Sequence, residues 1–186
     1  LTVNAVNNAP IALQSLDNLL LEEDSEVVVM VFGPIFFDDD GDSLVYSVAL
    51  STGSIISTEI NGDTLIISPI PDQYGGPVTI TVLADDEQGG TPAKVEFDVS
   101  VVGVNDPPVA ESNTIELNED TINGIEIPLS AIDPDNDNIN YSIYQSPVHG
   151  VLTIESGDFV TYTPNLNFSG EDTLTYIATD EYLAAD

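Results

Sequence analysis

The chain repeats itself. Asn7-Asn8-Ala9-Pro10 returns as Asn105-Asp106-Pro107-Pro108, and Glu23-Asp24 returns as Glu119-Asp120. Asp38-Asp39-Asp40-Gly41-Asp42 with Tyr46-Ser47 returns as Asp133-Pro134-Asp135-Asn136-Asp137 with Tyr141-Ser142. Pro69 matches Pro164, Gly75 matches Gly170 and Ala84-Asp85 matches Thr179-Asp180, so the offset drifts only from 98 to 95 along the chain. Anchors in one order at nearly one spacing mean a structural unit built twice, which excludes most folds open to a chain of this length. The seam is Gly103-Val104-Asn105-Asp106-Pro107-Pro108-Val109. Proline fixes φ, lacks the N–H and holds the residue before it extended, so this run reads as a stiff linker. The expected divisions are a first repeat over 7–104, a second over 105–186, and residues 1–6 as the end of the last strand of a preceding repeat.

Within each repeat the apolar period is two, the mark of half-buried strands. Lys94-Val95-Glu96-Phe97-Asp98-Val99-Ser100-Val101 sends Val95, Phe97, Val99 and Val101 one way and polar residues the other, and Val78-Thr79-Ile80-Thr81-Val82 does the same. Leu152 with Ile154, Val160 with Tyr162, and Leu174 with Tyr176 carry the pattern into the second repeat. Asn61-Gly62-Asp63, Gly75-Gly76-Pro77, Gly89-Gly90 and Ser156-Gly157-Asp158 punctuate these runs as turns, at the spacing of a β-sandwich. Seven strands are expected in the first repeat, near 12–21, 26–36, 44–50, 54–60, 64–68, 77–84 and 93–102. The second repeat stops six residues after Asp180, so it is expected to lack its last strand, while Leu1-Thr2-Val3 matches Val99-Ser100-Val101 of such a strand. An open strand edge invites pairing in trans, with residues 1–3 of one chain beside 173–179 of another.

Charge narrows the partners. There are 33 Asp and Glu against one basic residue, Lys94, for a formal net charge of -32. Like charges at that density call for counterions or bound cations, and they repel nucleic acid and anionic membrane surfaces. A hydrophobic share of 42% is too high for an acidic disordered tail. The absence of cysteine removes disulfides and thiolate zinc sites. The apolar run Val27-Val28-Val29-Met30-Val31-Phe32 is far short of the roughly 20 residues of a membrane helix.

The acids are patterned. Asp38, Asp40 and Asp42, and again Asp133, Asp135 and Asp137, alternate on what should be irregular loops, so that successive carboxylates can turn to one point. Ca²⁺ takes six to eight oxygens and suits such a cluster. An EF-hand does not fit, because its sixth position would be Ser43 or Asn138 instead of glycine, its twelfth Ala49 or Tyr144 instead of glutamate, and the flanks read as strands.

Together these residues resemble bacterial cadherin-like tandem repeats of large secreted or surface adhesins. The resemblance rests on Asn105-Asp106-Pro107-Pro108, the Asp-Pro-Asp-Asn-Asp of 133–137, the Glu-Asp pairs, and Ala84-Asp85 with Thr179-Asp180. Pro147-Val148-His149-Gly150-Val151-Leu152-Thr153, Tyr162-Thr163-Pro164-Asn165 and Phe168-Ser169-Gly170-Glu171-Asp172-Thr173 add to it. It implies an all-β fold: two tandem seven-stranded Greek-key cadherin-like sandwiches, the second without its last strand, with Ca²⁺ at the junction between consecutive repeats. The ligands it implies there are Glu22, Glu23, Asp24, Asp72, Asn105, Asp106, Asp133, Asp135, Asp137 and Asp180. An incomplete second set would be Asn7, Asn8, Asp38, Asp40, Asp42 and Asp85. Gly103 and Ala5 stand where animal cadherins carry an acid before the linker, and Asn8 replaces the second linker acid, which implies one to three ions.

The expected function is a calcium-binding repeat pair of a bacterial surface or secreted protein, stiffened by Ca²⁺ and supporting adhesion or self-association. Its partners would be neighbouring repeats of the same protein or further copies of the chain. A polysaccharide-binding module and a plain spacer are the alternatives, the first weakened by the absence of Trp and an aromatic share of 7%. No catalytic residue is assigned: His149 is the single histidine, before a turn glycine, and the acids cluster where a cation would be instead of flanking a cleft. The chain shows no Gly-x-Ser-x-Gly elbow or phosphate loop.

Overall fold

A computed structural model describes residues 1–4, 6–51, 55–154, 157–182 and 185–186. Ala5, position 54 at the start of the fourth expected strand, and Ser156 of one expected turn lie outside the described residues. The chain divides into unit 1, Leu1–Val104, and unit 2, Asn105–Asp186, and every described element is a strand or a turn.

Unit 1 holds β1 (Ile11–Ala12), β2 (Leu19–Glu22), β3 (Val28–Val31), β4 (Phe36–Phe37), β5 (Val45–Leu50), β6 (Ile56–Asn61), β7 (Thr64–Pro69), β8 (Gly75–Asp85) and β9 (Ala93–Val102). One sheet runs β2-β9-β8-β5, the other β3-β7-β6, and β1 pairs with β4 as a two-stranded ribbon. The alternation read in the sequence is the alternation observed. Val95, Phe97, Val99 and Val101 of β9 and Val78, Ile80, Val82 and Ala84 of β8 are buried, and they meet Phe32, Leu65 and Ile67 in one core. Each such side chain contributes about 1.5–3 kcal/mol when taken from water.

Two expected strands are each split. The span near 12–21 becomes β1 and β2, which belong to different sheets, and β2 lies parallel to β9 with Leu19 opposite Val99. The span near 26–36 becomes β3 and β4, interrupted at Gly33-Pro34, where proline has no N–H for a ladder.

Unit 2 holds β10 (Val109–Ala110), β11 (Ile125–Pro128), β12 (Ala131–Ile132), β13 (Asn140–Gln145), β14 (Gly150–Ile154), β15 (Phe159–Pro164) and β16 (Thr175–Thr179). Its sheets are β11-β15-β14, β13-β16 and β10-β12. Where β9 stands in unit 1, a Thr179↔Ala185 bridge and reciprocal N–H···O bonds between Ala178 and Asp186 (2.8 and 3.1 Å) begin an antiparallel pairing with β16. Residues 115–118, which match β2, form no strand, since the ladder that β2 uses in unit 1 is the edge of β9.

Candidate metal centre

Each unit gathers acids at the end where its chain enters. In unit 2 the loop after β12 begins at Asp133, whose side chain is buried. Its Oδ1 accepts the backbone N–H groups of Asp135 (2.9 Å) and Asp137 (3.1 Å), which folds the loop around it. Asn136, between those two, sits at φ 61°, in the left-handed region that asparagine tolerates better than most residues. The turn brings carboxylate oxygens of Asp133, Asp135 and Asp137 within 4.8 Å of one another. Asp135 Oδ2 accepts the Asp106 N–H (2.8 Å), and Asp180 Oδ2 accepts the Asn105 side-chain amide (2.8 Å). Asn105, Asp106, Asp133, Asp135, Asp137 and Asp180 therefore belong to one constellation within unit 2.

Unit 1 repeats it. Asp38 Oδ1 accepts from the N–H of Asp40 (2.9 Å) and Asp42 (3.2 Å), and Gly41 at φ 79° stands where Asn136 stands. Asp40 Oδ2 accepts the Asn8 N–H (2.7 Å). The Asn7 amide donates to Asp86 (2.9 Å), not to Asp85. The ladders explain the shift, because Val45 faces Asp85 while Asn140 faces Thr179, so the counterpart of Asp180 is Asp86. Sequence matching at a fixed offset of 95 chose Asp85, which is half-buried and accepts the Glu87 N–H (3.0 Å). Asp86 is buried, and its carboxyl is held below the usual carboxylate value by the Asn7 amide first and the Gln88 N–H second.

The remaining expected ligands lie at the other end of unit 1. Glu23 is 1% exposed, and its Oε1 accepts the Val104 N–H (2.8 Å). Asp24 and Asp72 are exposed, both at φ 56°, and present carboxylate oxygens within 4.8 Å of each other; Glu22 closes β2 with its side chain exposed.

Among the described residues, the buried carboxylate oxygens without a hydrogen-bond partner include Asp38 Oδ2, Asp133 Oδ2 and Glu23 Oε2. A buried charged oxygen left unpaired is costly, and all three lie among further acids. Asp137 registers the crowding, since its carboxyl is pushed above the usual value by desolvation first and then by Asp133, Glu181, Asp135 and Asp180. An all-oxygen, strongly anionic donor set of this kind fits a hard divalent cation.

Comparison with known proteins places the chain. The model of the Bacterial Ig domain family matches twice, over residues 7–98 and 105–185. No curated protein sequence matches the chain. Among solved structures, Drosophila N-cadherin EC1-4 is similar at 15% identity over 97% of this chain and 48% of that one, with a TM-score of 0.49. The human desmocollin-1 ectodomain is similar at 14% identity over 98% of this chain and 36% of that one, with a TM-score of 0.46. An endo-fucoidan hydrolase from glycoside hydrolase family 107 is similar at 15% identity over 100% of this chain, with a TM-score of 0.42, and the chain spans 28% of that enzyme's length. Bacterial Ig domains are non-catalytic modules of extracellular-type proteins, and among the described residues no helix is long and apolar enough to cross a membrane. The tandem repeat and the all-β sandwich class read from the sequence agree with the family match. Covered by that model in both halves, the chain belongs to the bacterial Ig domain family, as two copies in tandem.

Proposed function

We propose that each unit binds Ca²⁺ at its acidic loop and that the pair serves as a cation-ordered module of a bacterial surface or secreted protein. In unit 2 the ion would be held by Asp133, Asp135, Asp137, Asp106 and Asp180, with Asn105 orienting Asp180. In unit 1 the set is Asp38, Asp40, Asp42 and Asp86, with Asn7 in the orienting place. The observation that carries this reading is the buried, unpartnered Oδ2 that Asp38 and Asp133 each keep among neighbouring acids. Glu23 Oε2 is a further such atom, between Glu22 and Asp24 in the sequence.

A bound ion supplies fixed positive charge, and the chain's own residues do the rest. Asp135 and Asp180 already hold the backbone N–H of Asp106 and the amide of Asn105, so an ion that fixes those carboxylates also fixes the linker residues. Ordered linkers suit a module that extends or adheres outside the cell.

Isothermal titration with Ca²⁺ tests the binding. Saturable uptake is expected, abolished by EGTA, with D133N removing the unit 2 event and D38N the unit 1 event. Absence of heat at millimolar Ca²⁺ would refute the reading. Small-angle scattering with and without EGTA reports the linker, and bead aggregation with and without Ca²⁺ separates adhesion from spacing.

A further inference from the structure

Unit 2 leaves open a space that unit 1 fills with its own side chains. In unit 1, Phe32-Gly33-Pro34-Ile35-Phe36 connects β3 to β4 and sends Phe32, Ile35 and Phe36 into the sandwich, each at most 3% exposed. The Phe32 ring lies 4.7 Å from Tyr46 and 6.2 Å from Phe36, and Phe36 lies 5.8 Å from Tyr46.

Backbone bonds fix the counterparts. The Phe32 N–H donates to the Asp63 carbonyl as the Leu129 N–H donates to that of Asp158, both at 2.7 Å. Ala12 pairs with Phe36 as Ala110 pairs with Ala131. Between these fixed points unit 1 has Gly33-Pro34-Ile35 and unit 2 has Ser130 alone, while the two phenylalanines become Leu129 and Ala131. What is left is a cleft of about 410 Å³ whose lining includes Leu129, Ile139, Tyr141, Ile143, Ile154 and Val160. Their counterparts Phe32, Leu44, Tyr46, Val48, Ile60 and Leu65 all pack in the unit 1 core, so the cleft is core surface left uncovered.

Its chemistry selects an occupant. The cleft is open to solvent, with Ile154 67% exposed, and its apolar side chains offer a ring-sized guest a surface from which water is released on binding. Among the described residues of the lining Asp158 is the one that carries a charge, and a chain with 33 acids and one lysine draws cations and repels anions. Tyr141 adds an aromatic side chain to the lining, and aromatic rings attract positive charge over their faces. We propose that the unit 2 cleft is a binding site for a small aromatic cation, its ring lying against Leu129, the counterpart of Phe32, and its ammonium group directed to Asp158. This does not depend on the calcium reading, since Leu129, Ile143, Ile154 and Val160 are no part of the acidic loop.

The test uses the whole chain and benzylammonium, followed by methyl NMR of Leu129, Ile139, Ile143, Ile154 and Val160, in EGTA and again in Ca²⁺. Benzoate and methylammonium are the size and charge controls. Saturable shifts confined to these methyls are expected with benzylammonium, at least tenfold weaker with benzoate and absent with methylammonium. D158N should weaken benzylammonium about two- to fivefold, as expected of a solvent-exposed ion pair. L129F, and independently I154F, should fill the space and abolish the shifts of the remaining methyls while retaining a dispersed amide spectrum. Absence of saturation with benzylammonium overturns the proposal. So do equal binding of benzoate and undiminished binding by a folded L129F or I154F.

Discussion

Asp133 shows what one residue can hold. Its Oδ1 is committed to the loop backbone and its Oδ2 is buried without a partner, so the two oxygens have separate roles. D133N keeps an acceptor for the two N–H groups and removes the charge. In EGTA it is expected to leave unit 2 as stable as the parent or more so, because like-charge repulsion falls. In millimolar Ca²⁺ it should be less stable, and urea unfolding in both conditions checks the crossing. Asp172 ties a loop together through the N–H groups of Val148 and His149 and the Tyr162 hydroxyl. Burial pushes its carboxyl up, but the N–H groups of Val148, His149 and Thr173 and the Tyr162 hydroxyl outweigh this and hold it below the usual value. Tyr162 in turn is pushed up to about 12, by burial first and by Asp172 second. A carboxyl whose folded value is lowered contributes stability above its unfolded value, lost as pH falls through the folded one. Unit 2 should therefore weaken below about pH 4, near the ordinary carboxyl value, and D172N should flatten that acid limb in urea titrations from pH 5 to 2. The alternating aspartates were legible in the sequence because their spacing is their geometry. Asp86 was not, because a one-residue drift between the repeats shows only in the β13–β16 ladder.

Among the elements, β3 departs from its counterpart. Val29 and Val31 point outward from this edge strand, 59% and 49% exposed, where β11 carries Glu126 and Pro128. Charge and proline on an edge discourage pairing between chains, and bare valine does not. V29T/V31T is expected to change stability by less than about 0.5 kcal/mol per site and to lower the weight-average mass seen in sedimentation runs at high concentration relative to the parent. Strand positions were legible from the period of two, since β8 and β9 are long and one-sided. The split of 12–21 into β1 and β2 was not, because which sheet a strand joins is decided by partners about 25 to 80 residues away, Phe36 for Ala12 and Val99 for Leu19.

Across the whole molecule the two units are unequal despite their common plan. Among the described residues, unit 1 buries fifteen apolar side chains and unit 2 four: Leu129, Val160, Tyr162 and Ala178. Unit 2 is expected to unfold first, giving two transitions in urea, with Trp-free detection by the tyrosines or by amide exchange. Calcium should raise both midpoints, by the free energy of binding to the folded form alone. One feature of unit 1 bears on survival outside a cell. Lys94, the sole basic residue, sits in β9 with its ammonium on Glu96 at 2.8 Å and its backbone opposite Leu83 of β8. A trypsin-like protease thus has a single Lys or Arg peptide bond to attack in this sequence, Lys94–Val95, and that bond lies near the start of β9 in its ladder with β8, which has to open before the bond can enter a protease cleft.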